Sequence, residues 1–80
     1  MIQEVVIPQI GESVSELTVV QWLKAEGNPV QEGDFLFELD TEKSVLEIES
    51  VYTGTLTKIL ARKGEKVVPL QVVAKITTED

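Results

Sequence analysis

The 80-residue sequence predicts an all-β domain, a compact β-sandwich or flattened barrel built from two related halves. Three observations carry that expectation. Short runs of branched and aromatic residues recur between clusters of Gly, Pro, Asn and Asp, and Val45-Leu46-Glu47-Ile48-Glu49 alternates with the period of two of a half-buried strand. No segment carries a convincing helical period. The sequence also repeats itself at an offset of 37 residues: Trp22-Leu23 falls on Ile59-Leu60, Gly27 on Gly64, Val30 on Val67, and Phe35–Leu39 on Val72–Ile76. Two copies of a strand, glycine turn, short strand and strand imply a pseudo-twofold axis, each copy burying its apolar face against the other. Gly33 falls on Leu70, so the second of these turns is expected to differ in geometry from the first.

In chain order, Ile2–Ile7 is the first strand, closed by Pro8, which cannot donate to a ladder. A polar loop, Pro8–Glu16, leads to a second strand at Leu17–Lys24 whose Trp22 is expected to anchor the core rather than serve as a ligand platform. Ala25–Pro29 is a turn, Val30 a very short strand and Glu32-Gly33-Asp34 another turn. Phe35–Leu39 and Val45–Glu49 then form a β-hairpin with Asp40–Ser44 as its tip. Tyr52–Ala61 follows as a strand broken by Gly54, Arg62–Lys66 turns the chain, and Val67-Val68 and Val72–Thr77 complete the set. If the halves are related by a twofold axis, the central hairpin lies at one end of the domain and the chain termini meet at the other.

Composition removes several classes of function. There is no cysteine, hence no disulfide or thiolate metal site, which fits a reducing compartment. Histidine is absent too, so the commonest general base and the commonest metal ligand are missing. No catalytic site and no metal site is expected in this domain alone. Fourteen acidic residues against seven basic ones, a net charge of −7, argue against a nucleic-acid surface. No apolar run approaches the length of a membrane span, and Met1 is followed directly by strand-like sequence rather than a targeting peptide. The bacterial cytoplasm is the expected location, or the mitochondrial matrix for a processed chain.

One residue stands out by position. The hairpin tip has no apolar residue to tuck inward, so Lys43 is expected to project into water from two strands that hold it in place. A lysine in a polar turn is ordinarily a solubility residue. Its setting is Asp40-Thr41-Glu42-Lys43-Ser44-Val45, with Gly27 sixteen residues before the lysine and Gly54 eleven after. In this motif and these offsets the whole chain resembles a lipoyl domain. Glu42 stands where Asp is commoner, with the same charge.

The resemblance implies two four-stranded antiparallel sheets, with a lysine opposite the termini that carries lipoic acid in amide linkage. It implies Lys43 as the cofactor-bearing residue of a carrier that moves acyl groups between enzymes. The implied partners are a thiamin-dependent 2-oxoacid decarboxylase, an acyltransferase core, a dihydrolipoyl dehydrogenase, and a lipoate ligase or lipoyl transferase. The isolated domain is expected to be monomeric, residues 1–80 forming one unit that could be cut from a longer acyltransferase. Candidates for recognition by these enzymes are Asp40, Glu42 and Ser44 beside the lysine and Glu12 and Ser13 in the first loop; Gly27 and Gly54 are candidates for turn structure. Glu38, Glu47 and Glu49 are expected to be solvated strand surface, whereas Asp40 and Glu42 are also placed to steer the tip toward basic active-site mouths.

Two other classes share the expected fold. A biotin carrier typically sets its lysine between methionines, whereas Glu42 and Ser44 flank Lys43 and the one methionine is Met1. An adaptor would carry no modified lysine, against which stands a lysine at the expected tip. Ile10-Gly11-Glu12-Ser13-Val14-Ser15-Glu16 is similar to the loop of succinyltransferases from 2-oxoglutarate dehydrogenase complexes, although Leu17 stands where glycine is frequent.

Overall fold

A computed structural model describes residues 1–9 and 16–79. Eight strands run in order: β1 (Ile2–Val6), β2 (Leu17–Trp22), β3 (Pro29–Val30), β4 (Phe35–Asp40), β5 (Val45–Glu49), β6 (Gly54–Ile59), β7 (Lys66–Val67) and β8 (Val72–Thr77). They form two four-stranded sheets, β1-β8-β6-β3 and β5-β4-β2-β7, with every pair antiparallel. The sheets remain separate layers, so the architecture is a sandwich, not a closed barrel. Exchanging β1 with β5, β2 with β6, β3 with β7 and β4 with β8 turns one sheet order into the other, which is the pseudo-twofold relation expected from the repeat.

The sheet assignments have a consequence for the connections. Every step along the chain crosses from one sheet to the other, except that from β4 to β5. Among the described residues, the Phe35–Glu49 hairpin is therefore the single place where consecutive strands are direct partners, and its tip is the single turn that stays on one layer.

The core is aliphatic, with Phe37 the largest fully buried side chain. In β5, Leu46 and Ile48 turn inward while Val45, Glu47 and Glu49 face water, the alternation that the sequence carries. In β4 the alternation breaks, because Leu36 and Phe37 are both buried. A bulge causes this: Phe35 pairs with Glu49 and Phe37 with Ile48, so Leu36 is an extra residue that re-aims the strand. The second half repeats the device at the equivalent place, where Val5 pairs with Ala74 and Val6 with Val72, and both Val73 and Ala74 are buried.

Trp22 is the half-buried anchor expected. Its ring lies 4.6 Å from that of Phe37, its cross-strand neighbour, and its Nε1 donates to the Ala61 carbonyl at 2.7 Å. Strand limits differ from the sequence expectations at several places: β1 ends at Val6 rather than Ile7, β4 runs on to Asp40 rather than stopping at Leu39, and β6 ends at Ile59 rather than Ala61. β2 stops at Trp22 rather than Lys24, because the chain leaves the ladder for a turn in which Asn28 Oδ1 accepts from the Ala25 amide at 2.8 Å. Pro29 belongs to β3, at the start of an edge strand, where its missing N–H costs no ladder bond. β7 is Lys66–Val67, not Val67-Val68. Tyr52 lies outside β6, since the Ser50 hydroxyl donates to the Tyr52 carbonyl and accepts from the Tyr52 amide, bending the chain before Gly54.

Gly54 opens β6 instead of breaking it or forming a turn. A β-carbon at Gly54 would collide with the Thr77 carbonyl on neighbouring β8, so glycine is needed here for close approach. Gly27, by contrast, has φ of 93° in a turn with open space around it.

The expectation that the Gly33 and Leu70 turns differ is overturned. Both residues are left-handed, with φ of 96° and 72°, and both turns close alike: the Asp34 amide donates to the Gln31 carbonyl at 2.9 Å, and Gln71 to Val68 at 3.1 Å. Each is also pinned to the residue just past the end of a strand, the Gly33 amide donating to the Ser50 carbonyl after β5 at 2.8 Å and the Leu70 amide to the Ile7 carbonyl after β1 at 2.7 Å. The sheet framework imposes the backbone on both residues, whatever their side chains.

Candidate functional site

The chain termini and the hairpin tip mark opposite ends of an elongated molecule of 37 × 20 × 20 Å. Ile2 pairs with Thr77, Thr77 with Thr55, and Thr55 with Pro29, placing the start of β1 and the end of β8 beside β3. The turn after β3 is bonded to Ser50, at the base of the β4–β5 hairpin, so that base shares an end with the termini. Asp40 and Val45, the last pair of the hairpin, lie at the other end, where Asp40 also pairs with Thr18 and Thr18 with Lys66.

Thr41–Ser44 closes this end as a tight turn. The Thr41 amide donates to the Ser44 carbonyl at 2.8 Å, and the Thr41 hydroxyl donates to the same oxygen at 2.8 Å. That hydroxyl also accepts from the backbone amides of Lys43 at 3.3 Å and Ser44 at 3.1 Å. One side chain thus pins the backbone of the lysine and of its successor, in the manner by which threonine hydroxyls substitute for backbone groups in turns. Thr41 lies within the sequence motif without standing out in it; its one signal is that of a hydroxyl residue opening a four-residue polar turn.

The structure places Lys43 where the sequence expects it, exposed at the tip. Its ammonium takes part in neither ion pair among the described residues, Lys24–Asp34 and Lys66–Glu16. Asp40, Glu42 and Ser44 are exposed around it. Ser44 contributes to the turn through its carbonyl and amide. Glu12 and Ser13 lie outside the described residues. Glu38 is half-buried and accepts from Gln21 Nε2 at 2.8 Å, so it is tied into the sheet, while Glu47 and Glu49 face solvent. Gly27 and Gly54 are both remote from the tip in function: one permits a turn and the other a strand contact.

Chemically the arrangement offers a primary amine held at a fixed height on a polar turn, free of local ion pairing and open to a macromolecule. Among the described residues, no group of three His, Cys, Asp or Glu side chains is placed to hold a metal ion.

Residues 3–76 match a family model described as "Biotin-requiring enzyme". The chain is 40% identical over 78 residues to the dihydrolipoyllysine-residue succinyltransferase component of the 2-oxoglutarate dehydrogenase complex of Cupriavidus necator, covering 98% of this chain and 19% of the relative. It is 37% identical over 78 residues to the lipoamide acyltransferase component of the branched-chain alpha-keto acid dehydrogenase complex of Bacillus subtilis, covering 98% of this chain and 18% of that one. Among solved structures, the lipoyl domain of the 2-oxoglutarate dehydrogenase complex from Azotobacter vinelandii superposes with a TM-score of 0.78 at 25% identity, covering 94% of this chain and 95% of that one. The chain spans about a fifth of the length of these curated relatives.

Proposed function

The chain belongs to the family of biotin- and lipoyl-attachment domains, and on that premise we propose that it is a lipoyl carrier domain, with Lys43 as the residue that bears lipoic acid in amide linkage. The observation that carries the proposal is the tip geometry: an exposed, unpaired lysine whose backbone the Thr41 hydroxyl pins, at the end opposite the termini. The residues fit the group, since amide attachment asks for a primary amine that an attaching enzyme can surround. Amide formation removes one positive charge, taking the formal net from −7 to −8 (−7 − 1). When attached, the dithiolane supplies a reversible redox couple and a thiol able to carry an acyl group.

The chain's own residues present that arm. The lysine side chain with an acyl chain on its nitrogen reaches on the order of ten ångström beyond the turn. Thr41 fixes its point of departure, and the paired strands behind it keep the side chain on one face, where a shift of one residue would redirect it. Asp40 and Glu42 give the approach a negative potential, acting on encounter rate with basic mouths more than on affinity.

We assign the carrier to a 2-oxoacid dehydrogenase complex, with a thiamin-dependent decarboxylase, an acyltransferase core and a dihydrolipoyl dehydrogenase as partners. Among oxoacids, 2-oxoglutarate is the assignment, supported by the Glu12-Ser13 loop and by the Cupriavidus relative. Biotin is the competing load, and the Glu42 and Ser44 flanks in place of methionines weigh against it. Peptide mass spectrometry after expression with lipoate tests the assignment: the adduct is expected on Lys43 alone, and an adduct on Lys24, Lys58, Lys63, Lys66 or Lys75 instead, or biotin on Lys43, overturns it. Acylation rates with 2-oxoglutarate and branched-chain decarboxylases separate the oxoacids.

A further inference from the structure

The Gly33 and Leu70 turns agree in backbone and disagree in sequence. For a leucine the left-handed region is a steric outlier, because Cβ crowds the following carbonyl oxygen. Glycine at the equivalent position of the other half indicates that the sheet framework needs no side chain there. Nor does burial compensate: Leu70 is 64% exposed, and Val68 two residues earlier is 51% exposed. Strain retained at a solvent-facing residue points to a role outside the core.

Leu70 lies at the Lys43 end of the molecule. Val45, Asp40, Thr18 and Lys66 stand side by side across one sheet, three strand spacings or about 14 Å in all. β7 then leads directly to Val68 and Leu70, whose amide is tied to Ile7. A standard interface takes about 800 Å² from each partner, roughly a disc 32 Å across. One partner seated on this end face would cover both Lys43 and Leu70.

We propose that Leu70, with Val68 beside it, is a docking contact that enters an apolar recess on the decarboxylase that loads the arm of Lys43. The proposal rests on the carrier reading above. It favours the loading enzyme over the attaching one for a geometric reason. An attaching enzyme must bring Lys43 Nζ to its own reacting centre, so its contacts close around Thr41–Ser44. A loading enzyme receives an arm on the order of ten ångström long, so its reacting centre lies that far beyond the tip and its outer surface meets the whole end face. An apolar contact there adds affinity, which the acidic tip, acting on encounter rate, does not supply.

The test compares the wild type with Leu70→Gly and Leu70→Asn, two residues that accept a left-handed backbone. All three are first checked for the lipoyl adduct by mass, and the decarboxylase is the one that acylates the wild type fastest. The readouts are the thermal midpoint, the Kd of the unlipoylated domain for that decarboxylase by NMR titration, and the KM and kcat of acylation. Both variants are expected to be lipoylated fully, with midpoints equal to the wild type or a few degrees higher. Kd and KM should rise about tenfold, the scale of losing one buried isobutyl group, with kcat unchanged. Wild-type Kd and KM in Leu70→Gly overturn the proposal, as does a midpoint lower by several degrees, which would make Leu70 a packing residue. Absence of the adduct from wild-type Lys43 instead sinks the carrier reading, and this inference with it.

Discussion

Thr41→Val removes one hydroxyl at the hairpin tip and keeps the branched shape. It abolishes three hydrogen bonds, the donation to the Ser44 carbonyl at 2.8 Å and the acceptances from Lys43 at 3.3 Å and Ser44 at 3.1 Å. A hydrogen bond contributes about 0.5–1.5 kcal/mol net, and the longest of these lies at the low end of that range. The turn faces water, so the released amides and carbonyl are resolvated, and the sum falls to about 1 kcal/mol. The amide of Thr41 still donates to the Ser44 carbonyl at 2.8 Å, so the turn loosens rather than opens. For a domain of 80 residues that corresponds to a midpoint lower by about 4–8 °C at most. The larger effect is on the lysine, because about 1 kcal/mol shifts the ratio of native to alternative turns roughly fivefold. An attaching enzyme that selects the native turn meets it less often, and its apparent affinity falls with the native fraction, by about fivefold at the limit. A ligation assay on folded protein should therefore show kcat/KM for Thr41→Val lower by about two- to fivefold, with Thr41→Ser close to the wild type. If Thr41→Val is ligated at the wild-type rate while circular dichroism shows an intact fold, the pinning of Lys43 has no part in recognition.

Exchanging Glu42 and Lys43, Glu42→Lys with Lys43→Glu, holds composition and net charge while moving the amine by one residue; ligation should be nearly lost, and equal modification of the moved lysine would refute the geometric reading. Glu42→Gln, which leaves the lysine in place, should lower acylation only severalfold. Gly54→Ala should cost about 3 kcal/mol in urea denaturation, because the added carbon meets the backbone of Thr77, whereas Gly27→Ala meets open space and should cost about 1–2 kcal/mol from its φ of 93°. Gly27→Asn should recover part of that loss and Gly54→Asn none, and the reverse order would exchange the roles of the two glycines. Trp22→Phe leaves the buried Ala61 carbonyl without its donor at 2.7 Å and should cost about 1–3 kcal/mol by the same measurement.

The parts of the fold that follow from periodicity were legible in the sequence: the alternation of Val45–Glu49, the hairpin it belongs to, and the repeat that relates the sheets. Residues whose role depends on a partner distant in sequence were not. Leu36 and Phe37 are both buried because a bulge offsets β4 against β5, and a bulge is a property of a pair of strands that neither sequence displays alone. Ser50 reads as an ordinary polar residue after a strand, yet it is buried and its hydroxyl closes the bend to Tyr52. The Leu70 turn was misjudged because glycine signals a left-handed residue and leucine does not, whereas hydrogen bonds to Ile7 and across the turn impose that conformation from outside. At the tip the lysine was legible from its setting, while the bonds that orient it depend on how the Thr41 side chain folds back over the turn.

At the end remote from Lys43, the Met1 ammonium donates to the Thr78 carbonyl at 2.8 Å and the Thr78 amide donates to the Met1 carbonyl at 2.7 Å. The repeat offset carries Thr41 onto Thr78, and the swap of β5 with β1 carries Ser44 onto Met1, so this terminal pair is the counterpart of the bonded pair that frames the lysine turn. Topologically the domain is a ring of two half-domains with two equivalent corners, one bridged by Glu42 and Lys43 and the other framed by Met1 and Thr78. The pairing of the eight strands does not depend on which of the two corners is open. Joining the ends with a turn copied from Thr41–Ser44 and opening the chain between Glu42 and Lys43 would produce a circular permutant with the same eight strands and a turn-held lysine at the opposite pole, Lys43 becoming its first residue. Closing both corners would produce a cyclic carrier with a lysine at each pole, able to present two arms to two enzymes at once.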